Sequence, residues 1–210
     1  MQLSACLMAV LLVVVVLFSK STSFIWANGY HTAWLDVFFT WYTNLGDGVV
    51  AIVMAVALFF FKKRAVAIKL FLAFLVSGLA AQLLKDLLHA PRPATYFNHQ
   101  VYLHFIEGVT HGGNSSFPSG HTTTAFAVAT TLACCYRQKW TCLVFFVLAA
   151  GVAYSRVYLG QHFVEDVLAG MVLGIATAVI IEYLYYIIPL KRINNGYSQA
   201  IQHEQPAIEL

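Results

Sequence analysis

The stretch Ser155–Asp166 reads Ser-Arg-Val-Tyr-Leu-Gly-Gln-His-Phe-Val-Glu-Asp and separates two apolar runs, residues 140–154 and 167–188. It places one cation, one imidazole and two carboxylates side by side in a chain that is otherwise mostly apolar. His162 and Asp166 are four residues apart, so on a helix they share a face, and the carboxylate can hold one imidazole nitrogen while the other points outward. This pattern indicates an oriented base or nucleophile at the end of an apolar segment.

The composition of the chain is that of a membrane protein. Of its 210 residues, 60% are hydrophobic and 10% charged, and the mean hydropathy is +0.74. Soluble domains carry about 25% charged residues, and several apolar runs here approach the roughly 20 residues that cross a bilayer as a helix. The sequence therefore predicts an all-α, polytopic membrane helix bundle, with one domain over residues 1–192. The net charge of +3 comes from scattered cations, which argues against a nucleic-acid partner.

Six transmembrane helices are predicted from the apolar runs, at residues 3–18, 49–61, 65–88, 121–136, 140–154 and 167–188. The first run lacks the basic start and the cleavage site of a signal peptide, so we expect it to be retained as a span. Most cations fall on one side of this arrangement, which the positive-inside rule assigns to the cytoplasm: Lys62, Lys63, Arg64, Arg137, Lys139, Lys191 and Arg192. The pattern predicts a multi-pass protein of the cytoplasmic (inner) membrane with an extracytoplasmic active site.

Two further segments lie outside the predicted spans. Residues 31–45 carry Trp34, Phe38, Trp41 and Leu45 at helical spacing. Such spacing is typical of an amphipathic helix in the membrane interface, and equally of an aromatic stripe packed on the bundle. Residues 193–210 form a polar tail that we expect to be cytoplasmic and disordered.

The first of three polar clusters lies at the end of the third predicted span. Lys85 is followed after six residues by Arg92, which stands between Pro91 and Pro93. A lysine at the end of a span also fits the ordinary role of a side chain that snorkels to the headgroups. The two prolines stiffen the loop that presents Arg92, so this cation indicates a binding group more strongly.

The second cluster is Pro118-Ser119-Gly120-His121, at the start of the fourth predicted span. Ser119 fits a plain N-cap. The same helix start also offers free N–H groups, space at Gly120 for an anion and a hydroxyl donor, with His121 in the first turn. The third cluster is the opening stretch, in which Arg156 adds a planar donor suited to phosphate oxygens.

Together the clusters hold three cations, two histidines and one orienting carboxylate. No group of carboxylates suited to Mg²⁺ accompanies them, so the pattern indicates a phosphate handled without a metal or other cofactor. Fixed cations and backbone donors can offset the charge of a transferring phosphoryl group. The long polar loop carries further histidines, which we interpret as ordinary polar residues because their spacing matches no familiar metal site: His89, His99, His104 and His111.

Three motifs give the chain a resemblance to a known family. Lys85-x6-Arg92-Pro93, Pro118-Ser119-Gly120-His121 and Ser155-Arg156-x5-His162-x3-Asp166 resemble the signature motifs of the type 2 phosphatidic acid phosphatase superfamily. That superfamily also includes vanadium haloperoxidases and glucose-6-phosphatase. All three motifs are complete, in order and on one predicted face, and the resemblance covers about residues 45–174.

The resemblance implies a role for each matched residue. His162 would attack phosphorus and form a phosphohistidine while Asp166 holds its other nitrogen, and His121 would protonate the leaving lipid oxygen. The remaining matched residues would cradle the phosphoryl group: Lys85, Arg92, Ser119, Gly120 and Arg156. The residues by themselves do not choose between His162 and His121 as the nucleophile, whereas the resemblance does.

The predicted function is that of an integral membrane phosphatase acting on the terminal phosphate of a lipid phosphate or diphosphate. The candidate substrates are polyprenyl diphosphate, phosphatidylglycerol phosphate, phosphatidic acid and lipid A phosphate. A turn at residues 44–48 resembles bacterial members and favours an envelope role with polyprenyl diphosphate. We expect membrane lipids as further partners and no obligate protein partner. A haloperoxidase is one alternative, which the apolar body argues against, and a non-catalytic lipid-phosphate binding or transport protein is another, which the complete motifs argue against.

Two predictions concern packing rather than chemistry. Glu182 lies inside the sixth predicted span, where an unpaired carboxylate is costly, and we expect it to pair with Lys69 of the third span. Gly170-x3-Gly174 predicts close helix packing, most simply within the bundle.

Overall fold

Helices account for all regular secondary structure in the described part of the chain. The computed structural model describes residues 2–98 and 104–203, with side chains described to residue 188. Within these ranges there is one short 3₁₀-helix, Thr43–Gly46, and no β-strand. The α-helices are α1 (Gln2–Leu17), α2 (Lys20–Ala27), α3 (Ala33–Tyr42), α4 (Gly48–Phe60), α5 (Arg64–Leu88), α6 (Pro93–Phe97), α7 (Gly120–Tyr136), α8 (Lys139–Tyr158) and α9 (Val164–His203). The predicted all-α class is confirmed.

Helix α7 lies at the centre of the bundle and packs against α5, α8 and α9. Its small and hydroxyl side chains are mostly buried. Glycines on α9 permit a close approach, because a Cβ added at Gly174 would lie 2.4 Å from the carbonyl oxygen of Thr123, and one at Gly170 would lie 2.6 Å from that of Ser119. The Gly170-x3-Gly174 motif therefore packs within the bundle, as predicted.

The described helices that are able to cross a membrane are fewer than the six predicted. Three segments are long and apolar enough, namely Arg64–Phe97, Lys139–Tyr158 and Val164–Ile188. A fourth results if the pair Ala33–Gly46 and Gly48–Phe60, bent by 53°, counts as one span. Helices α1 and α7 have 16 and 17 residues, so at about 1.5 Å per residue they fall short of a hydrocarbon core about 30 Å thick. The six-span prediction is not confirmed.

The aromatic segment has two different faces. Trp34 and Trp41 of α3 are 69% and 71% exposed. On the other side, the ring of Phe39 lies 4.6 Å from that of Tyr158 on α8. Each interpretation of residues 31–45 therefore describes one face of this helix, and its place in a membrane interface stays a prediction.

An ion pair links α5 and α9 far from the polar clusters. Nζ of Lys69 lies 2.8 Å from one carboxylate oxygen of Glu182 and donates a hydrogen bond of 3.1 Å to the other. The predicted pairing is confirmed. It satisfies two charges that would be costly apart in an apolar bundle.

The end of the chain departs from the predicted boundary at residue 192. Helix α9 continues to His203, so residues 193–203, which were assigned to the tail, are helical. Residues 204–210 lie outside the described residues. The expected disorder is wrong for residues 193–203, whereas the cytoplasmic location of the tail stays a prediction.

Candidate active site

The three polar clusters meet where α5 ends, α7 begins and the chain turns from α8 into α9. A Cβ added at Gly120 would lie 3.5 Å from Nζ of Lys85, so the ammonium group stands against the start of α7. The amide of Ser119 donates a 3.0 Å hydrogen bond to the carbonyl oxygen of Asp166, which ties this helix start to the first turn of α9. The structure thus brings together residues that lie about 80 positions apart in sequence.

His162 and Asp166 form a buried pair. Nδ1 of His162 lies 3.6 Å from Oδ2 of Asp166, and their side chains are 2% and 0% exposed. The same oxygen accepts hydrogen bonds from the hydroxyl of Ser116 at 2.6 Å and from the amide of Phe163 at 2.8 Å. The carboxylate is therefore held firmly opposite Nδ1, which makes no hydrogen bond of its own among the described residues, and Nε2 of the imidazole is left available for chemistry.

The pairing differs in one respect from the helical geometry expected from the four-residue spacing. Helix α9 begins at Val164, so His162 lies in the turn before the helix and only Asp166 lies within it. The carboxylate turns back over the first turn of α9 and accepts the amide of Phe163, as an N-terminal carboxylate commonly does. The histidine is thus presented by a turn whose backbone is itself hydrogen-bonded.

Burial determines the protonation state of His162. Removal from water lowers the pKa of the imidazole, and the nearby Arg156 lowers it further, while Asp166 raises it. Because the net shift is downward, the imidazole is neutral at neutral pH. A neutral imidazole retains the lone pair that a nucleophile or base needs.

Arg156 lies in the last turn of α8 and is almost fully buried. Its Nη1 donates a 2.7 Å hydrogen bond to the hydroxyl of Thr43. Its carbonyl oxygen accepts the amides of Gln161 and His162 at 3.0 and 3.2 Å, which wraps the turn around the end of the helix. Gly160 adopts φ of +63° in this turn, a conformation that glycine takes without strain.

Arg92 is held by the loops around it. It caps the short helix α6, and its amide donates to the carbonyl of Gly113 at 2.9 Å. Its Nη1 donates to the side-chain oxygen of Gln161, whose amide nitrogen donates in turn to the carbonyl of Val109. The guanidinium is therefore positioned by the same turn that presents His162.

The second motif supplies a buried helix start. The hydroxyl of Ser119 shares a 2.9 Å hydrogen bond with that of Thr122 and does not cap a backbone amide. His121 occupies the first turn of α7 and is half-buried. A Cβ added at Gly46 would lie 2.7 Å from the carbonyl oxygen of His121, so the 3₁₀ segment before α4 packs directly on this turn.

Two of the three cations keep donors free. Among residues 2–98 and 104–203, Nε of Arg92 and Nε of Arg156 are buried without a hydrogen-bond partner. Buried donors are normally satisfied, and charged ones are especially costly to leave unpaired. In the part of the chain with described side chains, no salt bridge joins Lys85, Arg92 or Arg156 to a carboxylate, so the site has an excess of positive charge suited to an anion.

Three residues of the site are absent from the motifs: Thr43, Ser116 and Gln161. Gln161 lies within the stretch Ser155–Asp166, and only its position between Arg156 and His162 could have indicated a place in the site. Ser116 stands three residues before Ser119, in a loop of many polar residues. Thr43 lies 113 residues from its partner Arg156, and no sequence spacing points to it.

Comparison with known proteins agrees with the geometry. A model of the PAP2 superfamily matches residues 66–189, which include all three motifs. The chain belongs to the PAP2 superfamily. One relative of this PAP2 protein is a lipid A 4'-phosphatase of Bacteroides thetaiotaomicron, 29% identical over 156 residues that cover 70% of this chain and 68% of the relative.

Two further matches extend the comparison. The undecaprenyl-diphosphatase BcrC of Bacillus subtilis is 34% identical over 112 residues, covering 53% of this PAP2 chain and 52% of the relative, or about half of each. The crystal structure of Aquifex aeolicus LpxE superposes with a TM-score of 0.68 at 32% identity, over 76% of this chain and 92% of that one. The relatives are thus membrane lipid phosphatases with different lipids in their names.

Proposed function

We propose that this PAP2 protein is an integral membrane phosphatase that hydrolyses the terminal phosphate of a lipid phosphate or diphosphate. The observation that carries the proposal is the buried, neutral imidazole of His162 opposite Asp166, in a site where the guanidinium groups of Arg92 and Arg156 each keep a buried, unpaired Nε donor. A nucleophile and an anion cradle are the two parts that phosphoryl transfer requires.

In the first proposed step, the Nε2 lone pair of His162 attacks phosphorus. The bond from phosphorus to the lipid oxygen breaks, and the lipid leaves with a proton from His121. Nδ1–H stays directed at Asp166, whose negative charge stabilises the positive charge that develops on the imidazole. The product of this step is a phosphohistidine and a free lipid alcohol or monophosphate.

In the second step, water attacks the phosphohistidine. His121, now neutral, accepts a proton from that water, the bond from phosphorus to Nε2 breaks, and inorganic phosphate leaves. Lys85, Arg92 and Arg156 offset the charge on the phosphoryl oxygens through both steps. The step uses only groups that the chain itself supplies, so we expect activity to survive chelation of divalent ions.

For the membrane, we propose that α1, α4, α5, α7, α8 and α9 all cross, with the active site on the extracytoplasmic side of the inner membrane. Cations at the opposite helix ends support this orientation: Arg64 begins α5, Arg137 follows α7 and Lys139 begins α8. Other helices surround α7, which permits its threonines. Short spans such as α1 and α7 can be accommodated by local thinning of the bilayer. The test uses a chain whose native cysteines are replaced and that carries either His111→Cys or Lys139→Cys. In intact cells, a membrane-impermeant thiol reagent should label the first variant but not the second.

Two apolar grooves support a lipid substrate. One follows the exposed face of α3, and the other lies between α4, α7 and α8. Leu45 lines both grooves, and the next residue, Gly46, contacts the backbone of His121. A lipid tail in either groove would therefore bring its headgroup towards the start of α7, where His121 lies.

The relatives do not single out the polyprenyl diphosphate favoured by the sequence, since names containing lipid A and undecaprenyl diphosphate occur among them. The deciding experiment is phosphate release by the purified protein from a panel: undecaprenyl diphosphate, phosphatidylglycerol phosphate, phosphatidic acid and lipid A phosphate. We expect release that survives EDTA and is inhibited by vanadate. Strict dependence on Mg²⁺ would contradict the mechanism.

Variants separate the two histidines. His162→Ala should abolish turnover, whereas His121→Ala should turn over slowly and accumulate phosphoenzyme with a diphosphate substrate, whose leaving group depends less on an acid. His111→Ala, an exposed loop histidine, is the matched control. Full activity of His162→Ala with a folded protein would refute the assignment of the nucleophile.

A further inference from the structure

A second cluster of titratable side chains lies apart from the phosphate site. Nε2 of His104 is 2.9 Å from Oδ2 of Asp36, Nδ1 of His31 is 3.8 Å from Oδ1 of Asp36, and one ligand atom from each residue lies within 4.8 Å of the others. The three residues come from the linker between α2 and α3, the first turn of α3, and the loop before α7. The loop histidine His104, which by spacing alone looked like an ordinary polar residue, thus has two partners distant in sequence.

The hydrogen bonds of His31 leave its other nitrogen facing a carboxylate. Nε2 lies against the carbonyl oxygen of Asn28, and a carbonyl only accepts, so Nε2 carries the proton. Nδ1 then presents a lone pair towards Asp36, and it is buried without a hydrogen-bond partner among residues 2–98 and 104–203. A lone pair opposite a carboxylate is repulsive unless a cation lies between them.

A single proton on Nδ1 would meet this requirement for His31 alone, whereas a metal ion would hold both histidines on the carboxylate without two positive rings. The rings of His31 and His104 are stacked with their centroids 3.9 Å apart, so two imidazolium charges would repel strongly. In a tetrahedral Zn²⁺ site with bonds near 2.0–2.1 Å, neighbouring ligand atoms are about 3.3 Å apart. The three ligand atoms here lie within 4.8 Å of one another, so they would have to move closer by at most about 1.5 Å on binding the ion.

Hydrogen bonds from neighbouring residues orient Asp36 and His31, as hydrogen bonds orient the ligands in known metal sites. The hydroxyl of Tyr158 donates a 2.6 Å hydrogen bond to Oδ1 of Asp36, which orients the carboxylate. Asn28, whose carbonyl fixes His31, is itself held by two hydrogen bonds of 3.1 and 2.8 Å from its side-chain amide to the backbone of Val157 and Tyr158. Ligands supported by carbonyl and hydroxyl groups in this way are typical of protein metal centres.

We propose that His31, Asp36 and His104 bind one divalent transition-metal ion of the Zn²⁺ type, with water completing the coordination, and that this ion fastens the loop before α7 to α3 and to the linker before α3. The ligand set of two imidazoles and one carboxylate suits Zn²⁺, Cu²⁺ or Ni²⁺ and not Mg²⁺ or Ca²⁺. The ion would have a structural role and would take no part in phosphoryl transfer.

The loop that the ion would fasten leads to the phosphate site. Beyond His104, the hydroxyl of Thr110 donates a 2.9 Å hydrogen bond to the carbonyl of Leu159. The carbonyl of Val109 accepts from Gln161, which also holds Arg92. Metal binding would therefore stabilise the wall of the phosphate site without contacting the phosphate.

The test is Zn²⁺ binding to the untagged full chain in detergent, freed of metal by chelation. Mass spectrometry for metals should find one ion per chain after addition of ZnCl₂ and desalting, and competition with a chromogenic chelator should give the Kd. At a hundredfold excess over Kd, Zn²⁺ should raise Tm by roughly 5–10 °C, whereas equimolar MgCl₂ should not.

Matched variants decide whether these three residues are responsible. His104→Ala and Asp36→Asn should each weaken Zn²⁺ binding at least tenfold and remove the rise in Tm, while His111→Ala in the same loop should bind as the wild type does. His162→Ala should also bind Zn²⁺ normally, so this result does not depend on the phosphatase being correct. Absence of stoichiometric Zn²⁺ on the wild type, or equal binding by His104→Ala and His111→Ala, would overturn the proposal.

Discussion

Replacing Gly170 by alanine tests whether the packing of α9 on α7 sets the geometry of the active site. A Cβ at this position would lie 2.6 Å from the carbonyl oxygen of Ser119, and also 3.1 Å from the hydroxyl oxygen of Thr123. The backbone of Ser119 cannot swing aside like the end of a side chain. It also donates its amide to Asp166, so the two helices must separate locally or the start of α7 must move.

The size of the required movement follows from the distances. To reach 3.0 Å, the closest separation at which real Cβ contacts occur, the oxygen must retreat by 3.0 − 2.6 = 0.4 Å, and by 3.4 − 2.6 = 0.8 Å to reach ordinary contact. A displacement near 1 Å in a catalytic constellation can cost about a hundredfold in rate. Overpacking also costs about 1–3 kcal/mol of stability. We therefore expect kcat/KM to fall by roughly 10–100-fold and Tm by roughly 2–12 °C.

The assay is phosphate release by purified Gly170→Ala, together with thermal unfolding followed by size-exclusion chromatography. Gly78→Ala is the matched control, because a Cβ there has nothing within 4 Å and the substitution favours the helix. Gly174→Ala, which clashes with the carbonyl of Thr123 one turn further from the site, should lower Tm with a smaller effect on kcat/KM. If Gly170→Ala matched Gly78→Ala in both measurements, the close packing would not control the site.

Three further predictions follow from individual contacts. Lys69→Met and Glu182→Gln should show a coupling on the order of 1 kcal/mol in a double-mutant cycle of thermal stability, and strict additivity would disprove the ion pair. Ser116→Ala removes a hydrogen bond to a charged carboxylate, which is worth about 1.5–3 kcal/mol. We therefore expect kcat to fall by roughly 10–100-fold with KM little changed, whereas the exposed Ser115→Ala should keep its kcat. Equal kcat values for the two variants would contradict this prediction. Burial lowers the pKa of His162 below 6.5, so its contribution to folding stability is present above pH 6.5 and lost as the pH falls. The acid limb of kcat/KM should therefore lie below pH 6.5. An acid limb at higher pH would refute a neutral buried nucleophile.

The local chemistry of the site was predictable because each motif is short. Gly120 and His121 follow Ser119 directly, and Asp166 follows His162 by four residues, so their proximity needs only one turn of backbone. The all-α class was equally predictable, since apolar runs of this length satisfy their backbone groups as helices in a membrane. The family followed from the co-occurrence of three motifs, and the match over residues 66–189 confirms it.

Membrane crossing was less predictable, because hydropathy does not record what surrounds a helix. Helix α7 carries threonines that would be unfavourable against lipid, and it lies among α5, α8 and α9. Helices α1 and α7 are also shorter than the apolar thickness they were predicted to cross. Three described segments, or four with the bent pair, meet the length and composition of a span, and the crossing of all six helices stays a proposal.

The sequence by itself predicted the residues that we propose for the phosphate chemistry, because these are polar side chains at short, fixed spacings in an apolar chain. Only the tertiary structure decided how they are held. Thr43 reaches Arg156 across 113 residues, and the group of His31, Asp36 and His104 is assembled from three separate segments. Such contacts depend on where helices end in space and on how closely Gly170 and Gly174 let them approach. The spacing of Gly170 and Gly174 predicts that α9 packs closely, but it does not say against which helix, and no spacing along the chain gives the position of a helix end.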